Sequence, residues 1–184
     1  IASTNYRSFY IAAAGMTPGL SNGASTGTEE RPGNASADNS YPTIDYLAFD
    51  ASTAENAQFQ IPMPGEWDLQ EIKAKFYFMT DTATTSTVKW ILYGTTVATN
   101  LTMNTTWNAS NSSNVTTTPA TSDDEFLFIS AATGDIDIQG TAGVGSLVNF
   151  RVERGSGSDT YTGDAHLLGV SIQYQERVVP EAAW

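Results

Sequence analysis

His166 is the only histidine in the chain, and there is no cysteine. One imidazole leaves a Ser-His-Asp arrangement as the sole triad to test, and it removes histidine clusters, thiolate cages and cysteine nucleophiles. No Gly-x-Ser-x-Gly elbow accompanies His166, which stands at the start of an apolar run, so a structural or edge histidine is the simpler reading. Paired carboxylates are the other route to catalysis, through glycoside hydrolysis, and the nearest sets are Asp123, Asp124 and Glu125, Asp135 and Asp137, and Glu66 and Asp68. Their members are adjacent or two apart, so on strands they face opposite ways or lie side by side without a cleft. Turn chemistry accounts for them. Calcium would use the same oxygens, but no loop has the regular acid spacing of a dedicated cage. There is no Gly-x-x-x-x-Gly-Lys loop and no dinucleotide fingerprint; GTAGVGS, residues 140–146, reads as a hairpin loop. No catalytic residue, metal site or cofactor is expected.

Aromatic residues outside strong strand faces are the remaining candidates, because a ring stacks on the apolar face of a sugar. Tyr41, Trp107, Tyr161 and Trp184 qualify, and Trp107 and Tyr161 are taken as the possible ligand contacts. Trp107 comes first because it stands alone in a polar segment. Sequon triplets at Asn34, Asn100, Asn104, Asn108, Asn111 and Asn114 are what a Thr/Asn/Ser-rich composition produces by chance, and modification there would need a eukaryotic secretory route. Twenty acidic residues against 8 basic give a net charge of -12, which repels phosphate backbones and excludes nucleic acid as a partner. The bland reading of that charge is solubility. No apolar run approaches the roughly 20 residues of a membrane-spanning helix, and no membrane association is expected.

The elements that would position these residues are strands. The organising stretch is 46–79: in it Ile72, Ala74, Phe76 and Phe78 alternate with Lys73, Lys75 and Tyr77, the period of a half-buried strand. Phe59 and Ile61 alternate with Gln58 and Gln60 until Pro62 and Pro64 forbid a central ladder position. PGEWDLQ follows, with one helical turn expected and Trp67 turned inward as a plug. The runs 72–79 and 88–93 read as a strand pair joined by a polar loop. Residues 95–124, rich in Thr, Asn and Ser, read as a ragged strand pair of weak register. Runs at 125–130, 135–139, 146–154 and 166–177 close the chain, and in the last of them His166, Leu168, Val170, Ile172 and Tyr174 share a face.

Eight to ten strands without a long helix predict an all-β fold, an antiparallel β-sandwich of jelly-roll type. The expected organisation is an N-terminal strand and extended arm over 1–43, a sandwich over 44–177 and a tail over 178–184. Residues 17–43 lack apolar periodicity and read either as an arm lying on a neighbouring subunit or as a mobile surface loop.

Three stretches carry a resemblance: FYIAAAGMTPGLSNGASTGTEE, YLAFDASTAENAQFQIPMPGEWDLQEIKAKFYF and LVNFRVERGSGSDTYTGDAHLLGVSIQY. Together they resemble a family of virion structural proteins of tailed bacteriophages. The resemblance implies a non-enzymatic β-sandwich on the outer surface of the particle, either a capsid decoration protein or a part of a fibre or tail appliance. The segment 95–124 departs from the family pattern. On that basis the main expectation is a decoration protein, a homotrimer contacting the major capsid protein or other virion proteins. The alternative is a receptor- or glycan-recognition module of a tail or head fibre, meeting a host surface glycan.

Overall fold

A computed structural model of the chain describes residues 5–30, 42–80, 82, 85–97, 106–119 and 127–177. Its strands, in chain order, are β1 (Tyr6–Ala12), β2 (Thr17–Pro18), β3 (Ser25–Glu30), β4 (Thr43–Phe49), β5 (Asn56–Pro62) and β6 (Lys73–Thr80). They continue with β7 (Val88–Val97), β8 (Ser112–Thr117), β9 (Phe128–Ile129), β10 (Leu147–Arg154) and β11 (Ala165–Gln175). The first sheet runs β3-β4-β11-β6-β9, with β1 also paired to β11; the second runs β2-β5-β10-β7-β8. All ladders are antiparallel. Among the described strands only β3–β4 and β7–β8 are consecutive partners in one sheet. Every other connection crosses between the sheets, which makes the fold a jelly-roll-type sandwich.

The core lies where the two apolar faces meet. Ile72, Ala74, Phe76 and Phe78 from the first sheet face Val88, Trp90 and Leu92 from the second, all of them buried. Trp90 interlocks the layers: its ring centroid lies 5.1 Å from Phe49, 5.7 Å from Phe76 and 5.7 Å from Phe78. Trp67 is buried and closes one end of the sandwich, its indole N–H donating to the Gln70 carbonyl at 3.0 Å. The segment holding it is a set of turns rather than the expected helical turn, because Trp67 bridges to Glu176 and its own loop caps it.

Four further expectations are corrected. Residues 25–30 are not arm or loop: they form β3, paired along its length with β4, and β1 lies against β11, so residues 5–30 belong to the sandwich. The rest of the expected arm, residues 31–41, lies outside the described residues, as does the tail 178–184. The runs 72–79 and 88–93 are not a ladder pair, since β6 pairs β11 and β9 while β7 pairs β10 and β8. Their polar connection crosses the sandwich instead of turning within a sheet. Residues 135–139 make isolated bridges to Ile72 and Thr95 and carry buried Ile136 and Ile138 from one sheet to the other. Finally, β11 slips register between Leu167 and Gly169. A bulge inserts one residue and inverts the alternation, so Leu167 faces the core and His166 and Leu168 face outward, while Val170, Ile172 and Tyr174 keep the inward phase.

Arg154 ends β10 on the core side and is 2% exposed. Its guanidinium spends its donors on five bonds: two to the Asp159 carboxylate, both at 2.9 Å, and three to the carbonyls of Phe49 (2.8 Å), Gly163 (2.7 Å) and Tyr161 (2.5 Å). One side chain thereby fastens the loop 155–164 to both sheets.

Candidate functional site: the tyrosine face of the first sheet

With Phe9 and Ile11 packed on the core, Tyr6, Ser8, Tyr10 and Ala12 of β1 point outward. β1 lies on one side of β11 and β6 on the other, so the ladders place residues in rows: Ser8, Gln173 and Lys73; Tyr10, Ser171 and Lys75; Ala12, Gly169 and Tyr77. Tyr6 is 57% exposed and Tyr10 50%. This is an aromatic face set among hydroxyl, amide and ammonium groups.

Tyr10 and Tyr46 are held in place by their neighbours. A Cβ on Gly169 would lie 2.2 Å from the Tyr10 hydroxyl oxygen and 2.4 Å from its Cζ, so the ring folds over a glycine that has no side chain to obstruct it. Its hydroxyl donates to the Leu168 carbonyl at 2.9 Å, and the Tyr77 ring meets it edge-on, 5.3 Å between centroids at 88°. Partial burial, with Tyr77 beside it, pushes the Tyr10 hydroxyl pKa above its ordinary value. Further along, Tyr46 folds over Gly27, whose Cβ would fall 2.4 Å from the ring, and stacks on His166 at 4.2 Å and 16°. Next to these rings Ser8, Lys73, Lys75, Tyr77, Ser171 and Gln173 line a cleft of about 180 Å³. Lys73 is held by Asp135 at 3.3 Å. The chemistry available is non-covalent: fixed apolar ring surfaces for stacking, and nearby donors and acceptors for hydroxyl groups.

The residues singled out by sequence are dispersed. Trp107 is half-buried beside the second sheet, edge-on to Tyr93 at 6.3 Å. Tyr161 is 4% exposed; its ring faces the Arg154 guanidinium at 5.5 Å and its hydroxyl accepts from the Thr82 backbone N–H at 3.2 Å. Stacking against a ligand is thereby excluded for Tyr161, which is a correction: the turn-rich stretch around it folds inward onto Arg154. Tyr41, Trp184, Asp123, Asp124 and Glu125 lie outside the described residues. Glu66 accepts from the Tyr174 hydroxyl at 3.1 Å, and Asp68 caps the Gln70 N–H at 3.0 Å. Among the described residues no group of three or more His, Asp or Glu side chains converges to hold a metal. The tyrosine face was missed in sequence because each tyrosine reads locally as an outward strand residue; only the pairing of β1 and β6 with one central strand collects them.

No protein-family model matches the chain, and no curated protein sequence matches it. Among solved structures it is similar to the CBM36-1 domain of a multidomain xylanase from the hindgut metagenome of Trinervitermes trinervoides. That similarity has 9% identity, covers 90% of this chain and 96% of that one, and has a TM-score of 0.48. It is also similar to a family 11 carbohydrate-binding module from Clostridium thermocellum, solved with a β-1,3-1,4-mixed-linked tetrasaccharide, at 9% identity over 96% of this chain and 91% of that one, with a TM-score of 0.43.

Proposed function

We propose that this chain is a non-catalytic glycan-binding β-sandwich whose sugar site is the tyrosine face. The observation that carries the reading is Tyr10, half exposed yet fixed over Gly169 with its hydroxyl tied to the backbone, next to a cleft lined by Ser8, Ser171 and Gln173. A ring that is already ordered loses little entropy when a sugar stacks on it, and the flanking groups supply the hydrogen bonds that orient the sugar. In the setting that the virion resemblance implies, the module is displayed on the exterior of a phage particle and the face meets a host surface glycan. A glycan array carrying neutral and acidic sugars tests the reading. Wild-type binding of at least one glycan that Tyr10→Ala removes is the expected result, and silence across the array, or binding that Tyr10→Ala leaves intact for every glycan, counts against it.

A second reading, a decoration protein seated on the major capsid protein as a homotrimer, is favoured by Leu127 and Ile129, 54% and 51% exposed at the β9 edge. An apolar pair there suits a protein neighbour better than a sugar. Imaging purified particles separates the two: density on the shell at three-fold positions supports the second reading, and density confined to a fibre supports the first.

A further inference from the structure

Four buried side-chain polar atoms without a hydrogen bond among the described residues, Thr95 Oγ1, Gln139 Oε1, Asn149 Oδ1 and Arg151 Nε, lie on residues of one patch of the second sheet. The patch is on the side away from the core, opposite to the tyrosine face. Ladder register puts Gln60, Asn149 and Thr95 in one row, and the bridge between Thr95 and Gln139 extends it to four chain segments. Neighbouring members of such a row stand roughly 4.8 Å apart. In the next row Gln58, Arg151 and Tyr93 are in register, the Arg151 guanidinium lies 5.3 Å from the Tyr93 ring centroid, and Trp107 closes on that ring. Thr95 is only 2% exposed. Folded chains leave few buried polar atoms unpaired, so a cluster of them marks a place where a partner belongs.

The chemistry of the row specifies that partner. Each Asn or Gln amide accepts through its oxygen and donates through its NH2, a threonine hydroxyl accepts or donates, and nothing in the row is charged. Arg151 is neutralised by Glu153 in an ion pair. The complement is therefore an uncharged molecule whose groups both donate and accept hydrogen bonds, as hydroxyl groups do. Space exists for it: Asn149, Gln58 and Gln60 line a cleft of about 440 Å³ walled by Thr17, Pro18 and Leu20. Asn149 and Gln139 are half-buried, so rotation about side-chain bonds turns their oxygens outward with the backbone unmoved. We propose that this patch is a second binding site, for a neutral hydroxyl-rich ligand such as the end of a neutral oligosaccharide. It stands independently of the tyrosine face.

The test is a titration of the ¹⁵N-labelled full chain with glycerol and with tetraoses of glucose, xylose, mannose and galactose, read residue by residue by NMR. At least one probe shifts the signals of Gln60, Thr95, Gln139 and Asn149 saturably. Asn149→Ala, at the residue that the row shares with the cleft, weakens that titration about tenfold, the effect of one hydrogen bond, and Thr95→Val raises Tm by about 2–4 °C because an unpaired hydroxyl has been removed. No shift at these four residues with any probe overturns the proposal. An unchanged titration of Asn149→Ala also overturns it, and so does a lower Tm for Thr95→Val, since ordered water then satisfies the hydroxyl. Shifts confined to Tyr10 and Tyr77 overturn this site and leave the tyrosine face standing.

Discussion

Replacing Arg154 by methionine keeps the apolar stem of the side chain and deletes the guanidinium with its five hydrogen bonds. The Asp159 carboxylate, with a side chain 6% exposed, then loses its cation, and the carbonyls of Phe49, Gly163 and Tyr161 lose their donors. Removing one partner of a buried, hydrogen-bonded ion pair costs about 3–5 kcal/mol. Asp159 retains the backbone N–H groups of Lys89 and Tyr161, which hold the loss within that range rather than above it. For a domain of this size that corresponds to a Tm lower by about 6–20 °C. Lysine provides a charge and three donors but no planar fork, so Arg154→Lys loses about 1–3 kcal/mol and falls between the two. Urea unfolding followed by the fluorescence of Trp90 and Trp67 measures both variants. A methionine variant within 0.5 kcal/mol of wild type, roughly the spread of neutral surface changes, would refute the role given to Arg154, and so would a lysine variant less stable than the methionine one.

Two other perturbations read different parts of the same account. Asp50 accepts from the Ser52 hydroxyl and N–H, both at 2.6 Å, and from the Thr53 N–H at 3.0 Å, and these bonds hold its pKa below the ordinary 3.8. A carboxylate with a depressed folded pKa contributes stability that is present above its unfolded pKa and is lost as pH falls through the folded value. Asp50→Asn therefore flattens the acid limb of the stability curve below about pH 4, and an unchanged limb would show that the turn does not use the charge. Gly169→Ala places a methyl 2.2 Å from the Tyr10 hydroxyl and 2.5 Å from the Ile11 carbonyl oxygen, whereas at Gly15 a Cβ meets nothing within 4 Å. The first substitution destabilises by about 1–3 kcal/mol and changes the near-ultraviolet dichroism of the tyrosines; Gly15→Ala does neither. Equal stability of the two variants would show that Tyr10 is not seated as described.

Alternation alone located most strands, because a side-chain period of two is a direct consequence of a pleated sheet with one wet face. Ile72, Ala74, Phe76 and Phe78 are as buried as their spacing indicates. β3 escaped because Ser-Thr-Gly-Thr has no apolar face; what holds it is backbone pairing to β4 and the Tyr46 ring over Gly27. The phase of β11 before Gly169 was misread because a bulge changes the count without changing the composition. The pairing of β6 and β7 was misread because a polar loop of eight residues, 80–87, closes a hairpin or crosses a sandwich equally well. At the site, Trp107 and Tyr161 were chosen for their polar surroundings in sequence. The opposite logic holds in space: Tyr161 is drawn inward by Arg154, and the exposed rings Tyr6 and Tyr10 come from a regular strand whose outward face is left uncovered among the described residues.

In the proposed function Tyr10 and its neighbours form a platform on which a sugar ring stacks. The most direct measurement is saturation-transfer NMR on a glycan selected by the array, with the tyrosine ring protons irradiated and Asn149→Ala present throughout to silence the patch on the second sheet. Transfer is expected to reach the sugar's C–H protons, these protons are expected to shift upfield on binding, and Tyr10→Ala is expected to abolish both effects while Tyr161→Phe leaves them intact. Binding that persists in Tyr10→Ala with the upfield shift unchanged would contradict it.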